Sequence, residues 1–98
     1  GNDPNQLPLK FSLDRVHPNP FNPTTSILFS VPEENHDPVF IRVFNLSGGL
    51  VATLVNQSVF NPGNHAIIWD ASYVGSGIYF VEFVAGNTRK IQKITLLK

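Results

Sequence analysis

His17-Pro18-Asn19-Pro20-Phe21-Asn22-Pro23-Thr24-Thr25, running into Ser26-Ile27-Leu28-Phe29-Ser30-Val31, is the stretch on which the fold turns. Three prolines within the six residues Pro18 to Pro23 fix φ and remove three backbone donors. The residues before them, His17, Asn19 and Asn22, are pushed toward extended conformations. The chain therefore makes a stiff knuckle and enters a strand. Thr25, Ile27, Phe29 and Val31 then alternate with more polar neighbours, the period of a half-buried strand, and Pro32 closes the run.

Working outward, the rest of the chain repeats this pattern of short β-type runs between turn residues. Phe11-Ser12-Leu13 alternates and is expected to pair at an edge. Glu33 to Asp37 is a polar loop. Val39, Ile41 and Val43 form one face of a further strand, with Phe40, Arg42 and Phe44 on the other. Asn45 to Gly49 makes a turn in which Gly48 or Gly49 supplies a positive φ. The Val and Thr content of Leu50 to Val55 favours strand over helix. Asn61-Pro62-Gly63-Asn64 reads as a turn, and His65, Ile67 and Trp69 alternate after it. Ile78 to Ala85 is dense in β-branched and aromatic residues, as in a central strand buried on both faces. Ala85-Gly86-Asn87-Thr88 reads as a hairpin turn, and Lys90 to Leu97 returns as the last strand. The expected fold is all-β, an immunoglobulin-like antiparallel β-sandwich of about seven strands. Ile27, Phe29, Ile41, Val43, Ile67, Trp69, Phe80 and Val81 are the expected core or inner-face residues. One of Phe80 and Val81 must point away from it. Residues 1–10, GNDPNQLPLK, lack periodicity and read as a flexible linker to an upstream domain, leaving 11–98 as the folded unit.

Composition excludes several classes of function. A chain of 98 residues suits one domain. With 42% hydrophobic and 14% charged residues it is globular and not a disordered tail. A net charge of zero argues against nucleic acid as a partner, because phosphate binding needs a basic surface. No cysteine is present, so neither a disulfide framework nor thiol catalysis is available. No apolar run approaches a membrane span, and no initiator Met or signal peptide is present, so the chain reads as a piece of a larger precursor.

Nothing in the pattern calls for catalysis or a cofactor. His17, His36 and His65 lack metal-ligand spacing, no carboxylate pair is suitably spaced, and no nucleophile elbow or phosphate-cradling loop occurs. Trp69 would serve either as a sugar-stacking platform or as core; its register with Ile67 favours core. Tyr79 fits a tyrosine corner. Asp70 fits a loop cap better than a calcium site shared with Asn22 and Asn64. Asn45-Leu46-Ser47 and Asn56-Gln57-Ser58 match the N-glycosylation pattern. Arg89, Lys90, Lys93 and Lys98 are four of the seven basic residues, all in the last ten positions. They act as protection for an edge strand, as a strip read by a partner, or as both.

Taken in order, Pro18 to Thr25, Asn45-Leu46-Ser47-Gly48, Trp69-Asp70, Ser76-Gly77-Ile78-Tyr79 and Lys93-Ile94-Thr95-Leu96-Leu97-Lys98 resemble the motif series of the C-terminal sorting domain of proteins exported by the type IX (Por) secretion system. The resemblance covers roughly residues 11 to 98. His17 stands where that family usually has an aromatic, and Gly49 where it often has a polar residue. The resemblance implies a non-catalytic sorting signal that directs an upstream cargo from the periplasm of a Gram-negative-type bacterium to the cell surface or medium. It implies a translocon and a processing protease as partners, with cleavage in the linker before Phe11. Pro18, Asn19, Pro20, Phe21, Asn22, Pro23, Lys93 and Lys98 become the recognition candidates. Asn45, Gly48, Trp69, Asp70, Ser76, Gly77 and Tyr79 become structural motif residues. Two rivals are an accessory immunoglobulin-like module, carbohydrate-binding or a spacer, and a structural assembly domain like that of the flagellar hook-capping protein.

Overall fold

A computed structural model describes residues 7–98. Residues 1–6 of the expected linker lie outside the described residues. Seven strands follow in order: β1 (Ser12–His17), β2 (Thr24–Val31), β3 (Val39–Asn45), β4 (Leu50–Ser58), β5 (Gly63–Asp70), β6 (Gly77–Ala85) and β7 (Thr88–Leu96). They form two sheets, β1-β2-β5 and β4-β3-β6-β7, in which every pairing is antiparallel. This is the expected immunoglobulin-like sandwich.

The inner faces follow the period of two. Ile27, Phe29 and Val31 of β2 meet Val39, Ile41 and Val43 of β3 and Tyr79, Val81, Phe83 and Ala85 of β6 in one core. Phe29 touches Phe83 at 5.5 Å between ring centroids and Phe60 edge-on at 5.1 Å. The expectation for β6 needs correction. Only its inner face is fully apolar; Ile78, Phe80 and Val84 face outward and are half-buried. Phe80 is therefore the residue that points away, and Val81 is inside. A single layer covers this sheet, so an antiparallel central strand keeps a partly wet outer face. Glu82 is the one fully covered position there. It accepts two hydrogen bonds from Arg42 across β3 (2.7 and 3.1 Å) and one from Arg89 of β7 (3.0 Å). Two guanidinium groups on one carboxylate keep a charge tolerable at 6% exposure.

Irregularities sit where the pairing must bend. Asp14 is the extra residue of a bulge between β1 and β2, and it accepts a hydrogen bond from Ser30 Oγ. Gln57 takes φ 54° where β4 slips against β3. Gly86 opens the β6–β7 hairpin at φ 55°, and a Cβ there would collide with the Asp37 carboxylate.

Trp69 is a core residue at 2% exposure, stacked at tilted and edge-on angles against Phe21 (5.7 Å) and Tyr79 (5.5 Å). It offers no platform to a sugar. Trp69→Ala is expected to destabilise the domain by about 3–5 kcal/mol through lost burial and a residual cavity. Urea denaturation followed by circular dichroism measures this, and an unchanged midpoint would return Trp69 to the surface.

Candidate functional site

The strands of the sandwich run between two ends, roughly 25–30 Å apart for strands of eight or nine residues. One end gathers the chain entry at Leu7–Phe11, the β2–β3 loop and the β6–β7 hairpin, which together line one open hollow. The other end gathers the knuckle, the β3–β4 turn, the loop after β5 and the C-terminus of β7. Every motif residue singled out in the sequence lies at this second end, apart from Lys93, which sits a few residues back along β7.

The knuckle is built against β7. All three of its X-Pro bonds are cis. Prolines at 18 and 20 have no N–H, so donors must come from Asn19 and Phe21. Asn19 Nδ2 donates to the Lys93 carbonyl (3.1 Å), and the Thr95 N–H donates to Asn19 Oδ1 (3.0 Å). Phe21 N–H donates to the Thr95 carbonyl, and Leu97 N–H donates to the Phe21 carbonyl, both at 3.0 Å. Phe21 thus forms a parallel bridge with Leu96, and Asn19 extends it with a side-chain amide that imitates a peptide group. Four consecutive outward-facing backbone groups, three on β7 and the fourth on Leu97 just beyond it, are satisfied in this way.

Three further ties fix the knuckle. The Thr25 hydroxyl donates to the Pro18 carbonyl (2.7 Å), Ala71 N–H donates to the Pro23 carbonyl (2.9 Å), and the Phe21 ring is buried on Trp69. From Lys93 to Leu97 the outer edge of β7 is occupied by the chain's own knuckle.

The remaining motif residues brace the same end. Tyr79 donates its hydroxyl to the Gly75 carbonyl (2.6 Å), four residues upstream, in the manner of a tyrosine corner. Asp70 accepts from Ser72 N–H (2.9 Å) and so caps the loop. This hydrogen bond, then that of the Ser72 side chain and the Lys98 ammonium, hold the Asp70 carboxyl below its ordinary value of 3.8. Ser76 Oγ accepts from Lys98 N–H (2.9 Å), and Lys98 Nζ donates to the Ser72 carbonyl (2.8 Å). Lys98 and Lys93 are both exposed, but only the Lys98 side chain is braced by a hydrogen bond among the described residues. Asn45 Oδ1 accepts from Gly49 N–H (2.8 Å), and Gly48 takes φ 90°. A side chain at Gly49 would press on the Asn45 amide at 3.1 Å, which accounts for glycine at that position. Pro20 and Asn22 are exposed at the knuckle's rim.

The pattern of residues concealed two contributors. Thr25 reads as one more inward strand position, yet its hydroxyl ties the knuckle. Glu82 was visible only as a lone charge within an apolar run. Asn64 and Asp70 stand at opposite ends of β5, so the weighed calcium set is not assembled. Among the described residues no group of three or more His, Cys, Asp or Glu is placed to hold a metal, and no helix is long and apolar enough to cross a membrane.

The family model described as the secretion system C-terminal sorting domain matches residues 15–97. The searches of curated proteins and of solved structures give no match.

Asn19→Ala is expected to remove two of the four seam hydrogen bonds, costing about 1–2 kcal/mol, and to speed amide exchange at Thr95. Unchanged exchange there would show that the side chain does not hold the seam. The lowered Asp70 carboxyl gives a separate expectation for acid. Its contribution is present above the ordinary value of 3.8 and is lost as pH falls through the lower folded value. Asp70→Asn should flatten that part of the pH–stability curve, and a curve of unchanged shape would count against the cap.

Proposed function

The chain belongs to the secretion-system C-terminal sorting domain family, and from that premise we propose that it acts by binding, as the export signal of an upstream cargo handled by the type IX system. The observation that carries the reading is the convergence of the knuckle and the terminal strand into one rigid surface. A translocon that must recognise a folded tail needs features that are exposed and fixed, and the seam supplies both. Pro18, Pro20, Asn22 and Lys93 are exposed on that surface; Asn19 and Lys98, exposed as well, and buried Phe21 hold it in shape.

The chain enters at the opposite end of the sandwich, which keeps the cargo away from the recognition surface. Leu9 is 90% exposed while Phe11 is 5% exposed and part of the core. A protease cutting before Phe11 would free the cargo and leave the sandwich intact. The cargo reaches the cell surface or the medium through the periplasm. The accessory-module reading loses its main support with the burial of Trp69.

Fusing the whole chain behind an inert periplasmic reporter in a host with a type IX system tests the proposal. The reporter is expected at the surface or in the medium; a reporter that stays in the periplasm would defeat the sorting reading. Deleting Thr95 to Lys98 is a poor control, because it removes buried Leu96 and three of the four seam hydrogen bonds. Lys93→Glu is cleaner. An exposed charge reversal should change stability by only about 0.5 kcal/mol and is expected to lower export. Full export of that variant would eliminate reading by charge at Lys93.

A further inference from the structure

The seam covers only the downstream half of the β7 edge. By the alternation of an antiparallel strand, the outward groups that continue the series upstream are the Lys93 N–H, both backbone groups of Ile91 and both of Arg89. Among the described residues none of these has a backbone partner outside β6. Arg89 to Lys93 are five consecutive exposed residues, the longest such run within any strand. Lys90 and Gln92 occupy register positions opposite Phe83 and Val81, where a side chain should turn inward, yet they too are exposed. β1, the edge of the other sheet, approaches β7 but leaves these two side chains uncovered.

We infer that the Arg89–Lys93 edge is a docking site for an extended acidic peptide, which adds to the β4-β3-β6-β7 sheet as a further strand beside β7. The edge supplies the main-chain ladder and the side chains supply the selection. Lys90 on one face and Lys93 on the other have no carboxylate partner within salt-bridge distance among the described residues. Arg89 turns back to Glu82 but stays 64% exposed, and Ile91, 51% exposed, offers an apolar contact between the charges. Carboxylates on alternate sides of an added strand would meet these cations. A basic strand, including β7 of a second copy, would be repelled. The knuckle sets where the added strand must stop, because Asn19 already occupies the Lys93 carbonyl. The inference stands on this edge and does not require the export role.

The test uses the whole chain and a blocked alternating Glu-Val octapeptide as probe, with amide exchange and NMR shifts as readouts. Saturable binding is expected, with slowed exchange at the Ile91 and Lys93 amides. A Lys-Val octapeptide is expected to bind about tenfold more weakly or worse. Lys90→Glu with Lys93→Glu should invert that preference. Ile91→Pro removes only an outward donor and should abolish binding. If that variant misfolds, a Glu-Val peptide N-methylated along its ladder-forming edge decides the question on the unaltered protein. Equal binding of the N-methylated peptide would overturn strand addition. So would the absence of any change at Ile91 and Lys93, or protection of those amides without peptide, whether by a second copy or by residues 1–6. None of these outcomes reads export, so a failure of strand addition and a failure of the sorting role are told apart by different experiments.

Discussion

The pairing of Asn19 and Phe21 with the last residues of β7 is the constraint on which this end of the protein depends. A sandwich of two open sheets has four edge strands, here β1, β5, β4 and β7, and each presents a row of backbone groups with no sheet partner. The usual remedy is another strand, but a Pro-Asn-Pro segment cannot supply one. Proline removes every second donor, and the ladder would fail at Pro20. The Asn19 side chain solves this, because its amide carries a donor and an acceptor in nearly the arrangement of a peptide group. Its Nδ2 faces a carbonyl and its Oδ1 faces an N–H, so the amide orientation is internally consistent. Aspartate lacks the donor, and glutamine would overreach. The residue type at position 19 follows from the prolines on either side of it.

From that seam the other motif residues fall into one connected chain of contacts. Phe21 packs on Trp69, Trp69 packs on Tyr79, and Tyr79 ties the loop at Gly75. The same loop takes Lys98 through Ser72 and Ser76. Residues 21, 69, 79 and 98 are far apart in sequence but successive in space. This explains why motifs that are individually weak carry weight as an ordered set: each is one link in the bracing of a single end. Loss of any inner link would loosen the exposed surface without touching it.

The strands were legible because burial in a sandwich imposes a period of two, which β3 and β5 follow closely and β2 follows up to Phe29. The hairpin at Gly86 and the turn at Gly48 were legible because only certain residues take their φ values. What escaped the sequence was non-local. Nothing near Asn19 shows that its partners lie 74 and 76 residues downstream. Nothing near Ile78–Ala85 shows that only one sheet face is covered, so a dense apolar run reads as buried on both sides. Glu82 makes the same point in reverse. A charge within an apolar run looks exposed until Arg42 and Arg89, on neighbouring strands, are seen to surround it. Local pattern gives the elements; pairings across the chain decide which edge is closed and which polar groups can be buried.

The two halves of β7 answer the edge-strand problem differently, and the difference has consequences. Downstream, the knuckle satisfies the backbone outright, which makes the edge unavailable to any partner. Upstream, the backbone groups of Arg89 and Ile91 and the Lys93 N–H are protected only by charge. Protection by charge is selective by nature. It raises the energy of pairing with another basic strand, β7 of a second copy included, and lowers it for an acidic one. A domain whose net charge is zero gains no general repulsion between copies, so the local cluster must supply it alone. Placing Arg89, Lys90 and Lys93 within five residues therefore protects the edge while leaving one class of strand able to add to it. A fully capped edge would be safer against aggregation, but it would give up that choice of partner.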